Sequence, residues 1–170
     1  MEPLTPKPKE VAPEEAQAVY DACWQALQSC TVAELKRLRP DLITWRRGSA
    51  QMVLKINPGL DNLTVYSVLV AGVPPSTELY RYLLAYNVLQ RRECLGLAER
   101  DGKLYVVLKY TMELAVATMP VLQRHVYALQ EVADKTDTEL RDRFGGSLAF
   151  DDWETLDQEG VDSLLANLFG

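Results

Sequence analysis

"YLLAYNVLQRRECLGLAERDGKLYVVLKY" spans Tyr82–Tyr110. It opens almost wholly apolar and closes with two strand-like runs around Asp101-Gly102. Asp-Gly between such runs favours a type I′ hairpin, whose two central residues both need positive φ. The segment therefore predicts a helix followed by strands over 93–99 and 103–110. From Leu79 to Leu89, nine of eleven residues are apolar, with Arg81 and Asn87 the exceptions. One helical face is Leu79, Tyr82, Leu83 and Tyr86; another is Tyr80, Leu84 and Val88. A helix that is apolar all round is buried all round. A two-layer α+β arrangement covers only one of its sides. Two covers fit the second side: the last helix or C-terminal tail, or a second copy of the chain. The second copy, making a two-fold homodimer, is the expectation carried forward.

Upstream, Pro13 opens a helix with Glu14 and Glu15 at its positive end. Val19, Ala22, Cys23, Ala26, Leu27 and Cys30 follow helical spacing and predict a core-facing stripe. Tyr20 and Trp24 lie four apart on a neighbouring face. Three strands follow, "LITWRR" (42–47), "QMVLKIN" (51–57) and "LTVYSVLVAG" (63–72). The second alternates with a period of two, so one of its faces is wet. The third is apolar on both faces, which predicts a central place in the sheet. Ser76 or Thr77 is placed to cap the next helix, 77–90. Downstream, a helix runs from Thr118–Pro120 to Phe144 and stops at Gly145-Gly146. Its polar stretch around Thr136 predicts looser packing in the second half.

Residues 1–12 carry three prolines and read as an extended, flexible arm. Residues 147–170 hold six acids and no base, which leaves 18 acids and 18 bases in 1–146. Non-specific nucleic-acid binding needs a basic surface, and neither the chain nor its body has that bias, so no direct nucleic-acid contact is expected. The tail ends in "VDSLLANLF", with Val161, Leu164, Leu165 and Leu168 on one helical face. It reads as acidic and amphipathic.

No apolar run suggests a leader or a membrane span, so a cytoplasmic protein is expected. Cys23 and Cys30, seven apart on one helix, lie roughly 10 Å apart, too far for a disulfide. All three cysteines are expected to be reduced and buried. The single His125 sits at the edge of a packing stripe. One histidine and scattered cysteines give no metal spacing. The acids Asp151, Asp152, Glu154 and Asp157 lack the glycine and final glutamate of a calcium loop. Asp134, Asp137 and Glu139 read as a charged outer helix face. No phosphate loop or nucleophile–base motif occurs, so neither catalysis nor a cofactor is expected.

The element order, helix, three strands, helix, two strands, helix, resembles the type III secretion chaperone-like superfamily. "LLAYN" (83–87) and "CLGLAERDGKLYVV" (94–107) are similar to its leucine-rich helix, asparagine and glycine hairpin. "ALQEVADKTDTELRDRFGG" (128–146) resembles the end of the YbjN-like branch. The resemblance covers 13–146. It implies an α+β fold, an antiparallel sheet with helices packed on it, and a cytoplasmic protein that binds another protein as client. It further implies homodimers, no known catalysis and, for the YbjN-like branch, a link to stress response. By position, Tyr80, Leu84 and Val88 fall in the dimer contact, and Trp24 and Trp45 near a client surface. The tail after Gly146 departs from the pattern. Its acids, with Leu165 and Phe169, leave open an alternative in which it docks on a DNA-processing protein.

Overall fold

The structure, a computed structural model, describes residues 13–30, 35–47, 50–57, 59, 61–89 and 93–148. The arm 1–12 and the tail beyond Leu148, with Leu165 and Phe169, lie outside the described residues. The elements in order are α1 (Pro13–Cys30), β1 (Lys36–Arg39), β2 (Leu42–Arg47), β3 (Ala50–Asn57) and β4 (Asn62–Ala71). Then come α2 (Thr77–Leu89), β5 (Glu93–Arg100), β6 (Lys103–Glu113), a 3-10 turn (Leu114–Val116), α3 (Met119–Phe144) and β7 (Ser147–Leu148). The strands form one antiparallel sheet in the order β1-β2-β3-β4-β6-β5.

β4 lies in the middle, as its two apolar faces predicted. β3 pairs with it as far as Val68, and β7 takes over the same edge at Val70 and Ala71. A bulge between Val68 and Val70 breaks the β4–β6 register there. Such an extra residue bends and twists a strand. The Asp101-Gly102 turn has φ of 52° and 73°, as a type I′ hairpin requires.

All three helices share one core with one face of the sheet. Tyr20, Cys23, Ala26 and Leu27 of α1, Leu79 and Leu83 of α2, and Leu122, Val126, Leu129, Ala133 and Leu140 of α3 meet Ile43, Trp45, Met52, Leu54, Leu63, Val65, Val106 and Leu108. Alternate strand residues build a second apolar cluster on the other face: Leu42, Val53, Tyr66, Val68, Ala71, Ala98, Tyr105 and Val107.

Several expectations are corrected. Four strands, not three, precede α2; β1 was not foreseen. The second half of α3 is not loosely packed, because Thr136, Asp137 and Leu140 are all buried at helical spacing after Leu129 and Ala133. Asp137 is therefore not on an outer face; Thr138 Oγ1 donates to its Oδ1 at 3.1 Å. Cys23 is buried but Cys94 is exposed, since its side chain alternates away from the helices. Ser76, rather than Thr77, caps α2, its Oγ accepting from the Leu79 N–H at 3.1 Å.

Candidate functional site: two helix surfaces and a clamped edge

α2 is two-sided. Leu79 and Leu83 enter the core, and Tyr82 and Tyr86 pack against it. Tyr82 also meets Phe144 of α3 edge-on, with centroids 5.3 Å apart. The opposite strip is open: Tyr80 is 42% exposed, Leu84 67%, Val88 84% and Leu89 78%. The first three follow i, i+4, i+8, so they form one ridge along roughly 12 Å of helix. Leu89 extends it and was not singled out from sequence. Within the described chain, neither α3 nor a strand covers this ridge. Glu78 at the start of α2 pairs with Arg143 of α3 at 3.1 Å, a solvent-exposed contact that contributes little to stability.

The other end of α2 is clamped to the sheet. The Asn87 carboxamide donates to the Leu95 carbonyl at 2.8 Å and accepts from the Leu95 N–H at 2.7 Å. Leu95 belongs to β5, the edge strand beyond β6. An exposed edge strand offers backbone groups to any passing chain. Asn87 occupies both groups of Leu95 as a neighbouring strand would. This gives the asparagine of the sequence motif a physical role.

The opposite corner joins α1 to β1. The Arg37 guanidinium lies 4.5 Å from the Tyr20 ring centroid and 4.7 Å from that of Trp24. Its Nη2 also reaches Asp21 at 3.3 Å. Burial raises the Tyr20 hydroxyl above its ordinary pKa, and the Arg37 charge opposes that rise. Beside this stack, Gln17, Arg37, Leu38, Arg39 and Pro40 line an open groove of about 320 Å³. Trp24 is half-buried beside this stack. Trp45, expected near a client surface, is corrected: it is fully enclosed on the helix-covered face of β2. Its indole N–H has no partner among the described residues. Arg37 and the groove were missed from sequence, because β1 itself was.

His125 stacks on Tyr110, centroids 4.7 Å apart, at the edge of the core. Among the described residues, no group of three or more His, Cys, Asp or Glu could hold a metal ion. No described helix is long and apolar enough to cross a membrane.

Helices laid on one face of an antiparallel sheet, with an open apolar ridge and an open groove at its flanks, define a chaperone-like α+β protein. The family model for T3SS (YopN, CesT) and YbjN peptide-binding chaperone 1 matches residues 21–152, most of the chain. The chain belongs to that family, and with it to the chaperone-like, peptide-binding proteins. No curated protein matches the chain.

Proposed function

We propose that the chain works in the cytoplasm as a homodimer, built on residues 13–146, that holds an extended segment of a client protein without catalysing a reaction. The observation that carries this is the ridge Tyr80, Leu84 and Val88, exposed on a helix whose other side is fully committed to the core. A two-fold axis would lay the ridge against its own copy and close the surface without leaving an open end. The groove at Gln17, Arg37 and Arg39, with Trp24 beside it, supports a client site at the α1–β1 corner. A role in stress response is the setting that the YbjN-like resemblance supports.

Light scattering tests the dimer. It is expected to give about twice 19.1 kDa for the native chain. Leu84→Glu would bury two unpaired carboxylates at the axis, which costs about 3 kcal/mol or more and weakens association about a hundredfold. A native chain that is monomeric at micromolar concentration overturns the reading. A peptide array tests the client site: the native chain should bind a subset of extended sequences and Trp24→Ala should lose them.

A second reading rests on the six tail acids, with Leu165 and Phe169 near the end. They suit the basic groove of a DNA-processing protein. Retention of such a partner by the native chain, and its loss when those two residues become alanine, would favour this reading over the first.

A further inference from the structure

β1 reads Lys-Arg-Leu-Arg, three bases and no acid, and it forms one edge of the sheet. Arg37 and Arg39 line the groove with Gln17, Leu38 and Pro40. Each arginine faces a carboxylate of its own chain, but the two pairs are unlike. Arg39 is locked: its Nε and Nη2 donate to the two oxygens of Asp41, both at 3.0 Å. Two parallel bonds of this kind fix the direction of a guanidinium as well as its charge partner.

Arg37 is held by its plane rather than by its edge. Its guanidinium rests on the Tyr20 and Trp24 rings, at 4.5 and 4.7 Å from their centroids. Stacking on rings sets the plane of a guanidinium and leaves its N–H groups at the rim to donate. Among the described residues only Nη2 is used, reaching Asp21 Oδ1 at 3.3 Å. Gln17 Nε2 donates to the same Oδ1 at 3.1 Å. One oxygen of Asp21 therefore takes both donors.

The Arg37–Asp21 pair exchanges readily. Its side chains are 43% and 52% exposed, and an ion pair that wet contributes little to stability. Asp21 can turn to water at small cost, while the ring stack keeps the guanidinium where it is. That leaves Arg37 and Gln17 aimed at the position of one carboxylate oxygen, beside Leu38 and Pro40 in the open groove. A carboxylate from elsewhere meets a charge-assisted pair there. A neutral amide oxygen makes a bond roughly half as strong, and an ammonium meets a like charge.

We propose, on the reading of this corner as the client site, that the groove selects extended client segments bearing an aspartate or glutamate. The client carboxylate displaces Asp21 from Arg37 and Gln17, and an apolar neighbour of the acid lies on Leu38 and Pro40. Asp21 is then a built-in competitor that holds the arginine until an acidic segment arrives. Arg39, kept by Asp41, takes no part in the exchange.

Short labelled peptides of Gly, Ser and Leu with a central Glu, Gln or Lys test it, by fluorescence anisotropy against the full native chain. The Glu peptide should bind about tenfold more tightly than the Gln peptide, and the Lys peptide most weakly. Asp21→Asn should tighten the Glu peptide about threefold and leave the Gln peptide unchanged, a selective gain that loss of a merely structural contact does not produce. Arg37→Gln with unchanged circular dichroism should erase the preference for Glu. Equal binding of the Glu and Gln peptides overturns the proposal, and so does an Asp21→Asn chain that holds the Glu peptide no better. In either case the client site itself stands if Trp24→Ala still abolishes binding. If no peptide binds, or if Trp24→Ala changes nothing, the site and the proposal fall together.

Discussion

Replacing Asn87 by alanine removes both hydrogen bonds that clamp α2 to β5. The two lost bonds, at 2.8 and 2.7 Å, contribute about 1 kcal/mol each. Leu95 is only 3% exposed, but Asn87 is half-buried, so water reaches part of the vacated site and limits the penalty for unmet backbone groups. The loss is about 2 kcal/mol. For a chain of this length that lowers the melting temperature by about 4–8 °C at fixed protein concentration. The same loss speeds local opening about thirtyfold. Amide hydrogen exchange therefore gives the sharper assay, because the effect should concentrate on the Leu95 N–H. Asn87→Asp separates the two bonds. It keeps an acceptor for Leu95 N–H and points a carboxylate oxygen at the Leu95 carbonyl, so its loss should at least match that of alanine at neutral pH. If Leu95 exchange and melting temperature are both unchanged in Asn87→Ala, the clamp contributes nothing and the argument fails.

Three further outcomes follow from the packing. Gly146→Ala should destabilise by about 2–3 kcal/mol, because a Cβ there would meet the Ala71 carbonyl at 2.6 Å and Val70 Cγ1 at 2.8 Å at a φ of +93°; a denaturant midpoint equal to native would contradict this. At pH 8, iodoacetamide should label exposed Cys94 well before Cys23, whose thiol burial pushes up to about 12; equal rates by peptide mapping would refute the buried assignment. Burial pushes the Tyr66, Tyr82 and Tyr86 hydroxyls up to about 12. The unfolded chain then sheds these protons near pH 10 while the folded chain keeps them, so their stabilisation is complete below pH 10 and is lost as pH rises towards 12. Urea midpoints that stay level between pH 9 and pH 11 would rule that out.

The sheet's centre and hairpin were legible because local chemistry decides them. β4 is apolar at nearly every position, and Asp101-Gly102 supplies two residues suited to positive φ. The open ridge was legible too, since Tyr80, Leu84 and Val88 repeat at helical spacing on a helix that already had an apolar face. β1 was not legible, because "KRLR" has neither alternation nor a β-branched residue and becomes a strand only by pairing with β2. Arg37 and its groove were lost with it. Trp45 was placed wrongly because strand alternation says that two faces differ, but not which one the helices take. Asp137 misled through its charge, although its spacing from Leu129, Ala133 and Leu140 put it on the buried side. The two bonds of Asn87 reach Leu95 on the next strand, eight residues on, so no local pattern announces them.

β7 has a mechanical consequence. It holds β4 by two residue pairs, Val70 with Leu148 and Ala71 with Ser147, and is joined to α3 by two glycines at positive φ. Tension applied at Leu148 loads the Val70 pair first and the Ala71 pair next, as a zipper opens. β4 meanwhile stays gripped by β3 along Asn62–Val68 and by β6 along its length. Short pairings of this kind open at the low end of a protein's stability range. The strand acts as a fuse: force on the chain's far end parts a two-residue seam and leaves the sheet intact, ready to close again when the load is gone.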